Sequence, residues 1–144
     1  MIQRIQTLYL LLAAFLSIGL IFIVNLWITV AGDKFFVLDA FEANNLVLKS
    51  IAILFFASGL LAVITIFLFK NRKLQFVIGR IIILINFILL GILVYFSQNL
   101  SGEIKISEKG IGLLIPIITI IVISLANKAI KKDEELVKSV DRLR

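Results

Sequence analysis

Three side chains in this sequence are polar where nearly everything around them is apolar: Asn25, Arg80 and Asn86. An amide in an apolar medium needs a hydrogen-bond partner. Asn25 and Asn86 therefore read either as glue between helices or as the polar lining of a conduction or ligand site. Arg80 can reach an interface along its methylene stem, or it can contact an anion or lipid inside a helix bundle. Reaction chemistry has little else to draw on. Histidine and cysteine are absent, which removes thiolate nucleophiles, disulfides, zinc-finger spacing, histidine ligation and the usual proton shuttle near neutral pH. Nine carboxylates remain. None lies in a long apolar run, where ion-coupled transporters usually keep an acid. No glycine-rich phosphate loop or serine-nucleophile motif is present. Catalytic, cofactor and metal residues are each expected to be none, and the chain is not expected to be an enzyme.

The elements that carry these residues are set by the apolar runs. Of 144 residues, 61% are apolar, and mean hydropathy is +1.13. A soluble domain of this size cannot hide so much apolar surface. No charge falls in residues 5–32, 50–69, 81–102 or 110–127, and each run is long enough for a spanning helix of about 17–25 residues. The expected fold is an all-α membrane protein, an antiparallel bundle of four transmembrane helices over about residues 5–30, 50–69, 76–99 and 110–127. A cytoplasmic helical tail, 128–144, follows in the same single domain. The first run is too long for the core of a cleaved signal peptide, so it reads as a retained helix.

Orientation follows from Lys and Arg. Arg4, the Lys70–Arg80 segment (Lys70, Arg72, Lys73, Arg80) and the six basic residues after Asn127 put eleven on one face; Lys34, Lys49, Lys105 and Lys109 put four on the other. Positive charge marks the cytoplasmic side, so both termini are expected there, in a bacterial inner membrane. Tyr9 near the inner end of the first helix agrees, as do Trp27 and Tyr95 near outer ends. The net charge of +6 fits this topology better than nucleic-acid binding. Lys70, Arg72, Lys73 and Arg80 are the candidate contacts for lipid headgroups.

Two outer loops contain strand-like patterns, Phe35-Phe36-Val37-Leu38 and residues 102–107. They can pair as a short two-stranded ribbon across the bundle, or remain irregular and dip apolar side chains into the interface. Ser58 and Ala62, beside Ala57 and Gly59, give a small-residue face for close packing. Pro116 is expected to kink the fourth helix. Nothing breaks the chain after Asn127, and Leu136, Val140 and Leu143 fall at i, i+4, i+7 with Val137 alongside. That stripe can pack on the inner loop, lie on the membrane or meet a partner helix.

The opening residues 1–13, MIQRIQTLYLLLA, and the closing residues 132–144, KDEELVKSVDRLR, resemble a family of small four-helix membrane proteins from Bacteroidota, domain of unknown function 4293; Asn71-Arg72-Lys73-Leu74-Gln75 is similar to its middle loop. The resemblance covers the whole chain and implies an inner-membrane protein without implying an activity. It marks Arg4, Gln6, Asp141, Arg142 and Arg144 as a distinctive cytoplasmic surface and a candidate partner contact. The leading functional expectation is a non-enzymatic accessory or assembly subunit that uses its basic face and C-terminal helix. The alternatives are a small channel or transporter lined by Asn25 and Asn86, or an anionic-lipid-binding protein. No cofactor is expected. The expected partners are the lipid bilayer and a protein; oligomeric state is left open.

Overall fold

The computed structural model describes residues 5–29, 31–99, 106–109 and 111–143, with side chains for all of these except 99 and 106–109. The chain runs α1 (Ile5–Ala14), a π-helical turn (Phe15–Gly19), a 3-10 turn (Leu20–Phe22), β1 (Asn25–Thr29), β2 (Lys34–Phe36), the short α2 (Asp39–Glu42), α3 (Leu46–Phe67), α4 (Arg72–Asn99), β3 (Ile106–Lys109), a 3-10 turn (Ile111–Leu114) and α5 (Ile115–Arg142). Four segments are long and apolar enough to cross a membrane: Ile5–Phe22, Leu46–Phe67, Arg72–Gln98 and Ile111–Arg142. They pack as a ring in which α1 touches α3 and α5, and α4 touches the same two. A short connection between α3 and α4 makes those helices antiparallel neighbours, as expected.

The sequence places helix starts where side chains can supply missing acceptors. Asn45 Oδ1 accepts from Val47 N at 2.9 Å at the head of α3. Asn71 Oδ1 accepts from Leu74 N at 3.2 Å at the head of α4. Both satisfy first-turn amides that have no partner within the helix. Pro116 sits in the first turn of α5, where a missing N–H costs no helical hydrogen bond. The expected kink is therefore replaced by a helix start.

The first helix departs most from expectation. It ends at Phe22 rather than near residue 30, and Asn25–Thr29 form a strand. β1 is the middle strand of a three-stranded antiparallel sheet ordered β2-β1-β3. The two outer loops do supply strands, but those strands pair with β1 and not with each other. Trp27 lies opposite Phe35 and Lys109 in the two ladders. Its ring stacks on Phe35 with centroids 4.6 Å apart, and it is buried. Trp27 thus anchors the sheet instead of ending a helix. Between β1 and β2, Gly32 at φ +88° takes the left-handed conformation that side chains disfavour. Thr29 N donates to Asp33 O across that turn at 2.9 Å. Residues 102–105 of the second strand-like pattern lie outside the described residues.

Leu26, Val37, Ala40 and Ile115 are buried with the core of the bundle, which continues through Ile51, Phe55, Ile82, Leu89, Leu93 and Ile123. Many large apolar side chains face outward along the same helices, among them Leu8, Phe15, Ile53, Leu60, Leu84, Phe87 and Ile121. A contiguous apolar exterior on a packed bundle is the surface expected of a lipid-facing protein.

Candidate functional site

Two polar clusters lie inside the bundle. In the middle, Asn86 is fully buried on α4 and donates from Nδ2 to Ser58 Oγ on α3 at 2.7 Å and to Ile82 O at 2.9 Å. Ser58 also lies 3.4 Å from Ser17 Oγ in the π-helical turn. The cluster therefore joins three of the four spans. Gly59, beside Ser58, lets Ile18 press against the α3 backbone, so the predicted small-residue face is in use. Asn86 Oδ1 has no protein partner among the described residues.

The second cluster lies at the end where α3 turns into α4. Gln75, 1% exposed, donates from Nε2 to Thr65 O at 2.8 Å and so ties α4 to α3. One turn further along α4, Gly79 receives the side chain of Asn127 from α5 so closely that a Cβ would overlap the amide. Gln6 of α1 is also buried here, lining a hollow with Ala129, Lys132, Asp133 and Leu136 of α5. Gln75 Oε1 and Asn127 Oδ1 have no protein donor among the described residues.

Charged groups surround this end. Arg72 Nε stands 3.7 Å from Asp133 Oδ2. Lys138 Nζ stands 2.9 Å from Glu134 Oε1 in an i, i+4 pair. The Lys138 hydrogen bond is the main reason that the Glu134 carboxyl lies below its ordinary pKa, with Lys138, Lys73 and Arg72 adding attraction. The acidic side of α5 thus faces the basic head of α4.

The predicted residues divide among these places. Asn25 heads β1, and its backbone carbonyl packs against Gly112; Asn86 belongs to the mid-bundle cluster, so the two amides lie on different structures. Arg80 is exposed on α4, with its guanidinium 4.5 Å from the Phe76 ring centroid, pointing out of the bundle. Lys70 and Lys73 are exposed, while Arg72 is drawn into its ion pair. Arg4 and Arg144 lie outside the described residues. Gln6 meets α5 near Asp133, whereas Asp141 and Arg142 are exposed at the helix end, about 12 Å further along its axis. The terminal segments do meet, but at the start of the closing motif, around Lys132, Asp133 and Leu136, one to two turns before Asp141. Ser17, Gly79 and Asn127 were not singled out from sequence, and Gln75 entered only within the middle-loop resemblance. Their only signal was a polar or small residue within or beside an apolar run.

From residue 135 to 143 every residue of α5 and its end is exposed. Leu136, Val140 and Leu143 are 57%, 58% and 89% exposed, so the predicted apolar stripe is not covered by the bundle. Among the described residues no three His, Cys, Asp or Glu side chains converge. The polar clusters bind helix to helix, and the uncommitted surface is the projecting end of α5.

A ring of four span-capable helices, capped at one end by a small sheet and extended at the other by a charged helix, defines a multi-pass class of bundle. Within that class the chain belongs to the family described as Domain of unknown function (DUF4293), whose model matches residues 2–143, nearly the entire chain. The family resemblance carried by the two ends and the middle loop is thereby borne out. No curated protein matches the chain, and no solved structure matches it.

Proposed function

We propose that this chain is a multi-pass inner-membrane protein with both termini cytoplasmic, acting as a non-enzymatic accessory or assembly subunit whose projecting α5 segment docks a partner protein. The observation that carries the reading is the uncovered stripe of Leu136, Val140 and Leu143 on a helix continuous with the last span. Because α5 is one continuous helix from Ile115 to Arg142, Leu136, Val140 and Leu143 stand about 14–24 Å beyond Asn127 along its axis, which favours a protein over a lipid occupant. The eleven-to-four distribution of basic residues supports the orientation.

The test is affinity purification from native membranes, comparing wild type with Leu136→Ser/Val140→Ser/Leu143→Ser. Truncation from residue 129 would also remove the fully buried Ile130 and the Asp133 that pairs with Arg72, whereas the triple substitution keeps both. A stoichiometric partner present with wild type and lost with the variant supports docking. Identical associations in both samples would refute it.

A further inference from the structure

At the same end of the bundle, α1 and α5 leave an open furrow on their outer side. Two adjoining hollows of about 190 and 230 Å³ share Ile5, Ala129 and Lys132. The larger is floored by Ile5, Tyr9, Leu125 and Ala129 and rimmed by Lys128 and Lys132. Those lysines are four apart, so their stems rise from one helix face, and both are exposed. Lys128 is the first charge after the run 110–127, and Tyr9 is half-buried in the opposite wall.

We infer that this furrow seats one anionic phospholipid, its phosphate between Lys128 and Lys132 and the upper part of an acyl chain along Ile5, Tyr9 and Leu125. The groove is apolar on one side and cationic on the other, and both sides stand at the level where the last span becomes charged. A lipid headgroup joined to its chain has the same polarity sequence. Asp133 lies in the smaller hollow, but Arg72 stands across from it, and among the described residues no acid lines the larger hollow. The basic cluster at residues 70–73 is a poorer seat. Arg72 is paired with Asp133, Lys73 and Arg72 both face the Glu134 carboxylate, and neither described hollow includes them. An amphipathic tyrosine beside paired lysines suits the headgroup boundary.

This inference rests on the membrane reading, which alkaline carbonate extraction of native membranes checks separately. Release of the protein would remove both ideas; retention leaves the furrow to be judged alone. The purified full chain in mild detergent is then offered equimolar phosphatidylglycerol and phosphatidylcholine and read by native mass spectrometry. Wild type should retain phosphatidylglycerol preferentially. Lys128→Gln/Lys132→Gln should weaken that retention about thirtyfold, while Lys70→Gln/Lys73→Gln, with the same loss of charge, should change it less than twofold. Leu125→Trp keeps both lysines, fills the hollow and should also weaken retention. Equal retention of the two lipids, equal effects of the two lysine pairs, full retention by Leu125→Trp or displacement by inorganic phosphate would each overturn the seat.

Discussion

Replacing Gly79 by alanine tests whether α4 and α5 meet as closely as the geometry requires. A Cβ at position 79 would lie 2.8 Å from Asn127 Cγ and 2.9 Å from Nδ2, with Oδ1 nearer still. The first of these is roughly 0.7 Å inside the ~3.5 Å at which carbon contacts become favourable. Asn127 is 8% exposed, so its short side chain has little room to retreat. Overpacking of this kind costs about 1–3 kcal/mol. Removing a mid-helix glycine returns about 1 kcal/mol of helix propensity, so the net effect of Gly79→Ala alone is a loss of about 0–2 kcal/mol. A double-mutant cycle isolates the contact, because propensity enters both arms equally and the space left by Asn127→Ala is shared by both Asn127→Ala variants. In the Asn127→Ala background the obstruction is gone, and Gly79→Ala should be stabilising by about 1 kcal/mol. The coupling between the two positions should therefore be about 1–3 kcal/mol. Reversible unfolding of the purified protein in mixed detergent–SDS micelles measures it. A coupling below about 0.5 kcal/mol, the usual scatter for independent sites, would show that Asn127 does not press on Gly79.

Other features give smaller and equally checkable effects. Asn86→Leu removes one interhelical hydrogen bond together with a buried carbonyl oxygen that has no donor among the described residues, so the same unfolding assay should register a change below about 1 kcal/mol; a larger loss would mean that Oδ1 holds something essential. Pro116→Ala should leave stability within about 1 kcal/mol, measured likewise, because Pro116 stands in the first turn of α5. Glu134 has its pKa lowered on folding by Lys138, so its contribution is present above the unfolded carboxylate pKa and lost as pH falls through the lowered one. By circular dichroism, helix content of wild type should exceed that of Lys138→Gln at neutral pH, and the difference should begin to shrink only below about pH 4–5 and close once pH has fallen through the lowered pKa; a difference that persists below it would assign the effect to something other than the pair.

The long charge-free runs made α3, α4 and α5 legible in the sequence because hydropathy alone determines such spans, and their ends were misplaced by only a few residues. The first run failed for the same reason. Val24 to Thr29 is as apolar as a helix, but Leu26, Trp27 and Ile28 also suit a strand, and hydropathy cannot distinguish the two. What decided it was tertiary: β2 and β3 arrive on either side, and Trp27 stacks on Phe35. The kink assigned to Pro116 failed because a proline reads alike inside a helix and at its start until the start is known. The exposed stripe at Leu136, Val140 and Leu143 was visible as a spacing; that the bundle leaves it uncovered was not. Asn86 stood out in its run, but its partner Ser58 lies 28 positions away, and Ser17, which Ser58 meets in turn, lies 41 positions from Ser58. Gly79 and Asn127 were invisible as a pair, since only the α4–α5 crossing brings them together.

The strand order β2-β1-β3 also fixes a sequence of assembly events. During synthesis β1 and β2 emerge together and can close their hairpin early, but the other edge of β1 pairs with Ile106–Lys109, made about 80 residues later. At ribosomal speeds that interval is roughly 4–16 s. Until it ends, a half-finished ribbon offers a row of unpaired backbone groups to any passing strand. Closure waits until α3 and α4 have been made and β3 delivered to the same end of the bundle. The last strand therefore acts as a latch, joining the first span to the segment that leads into the fourth.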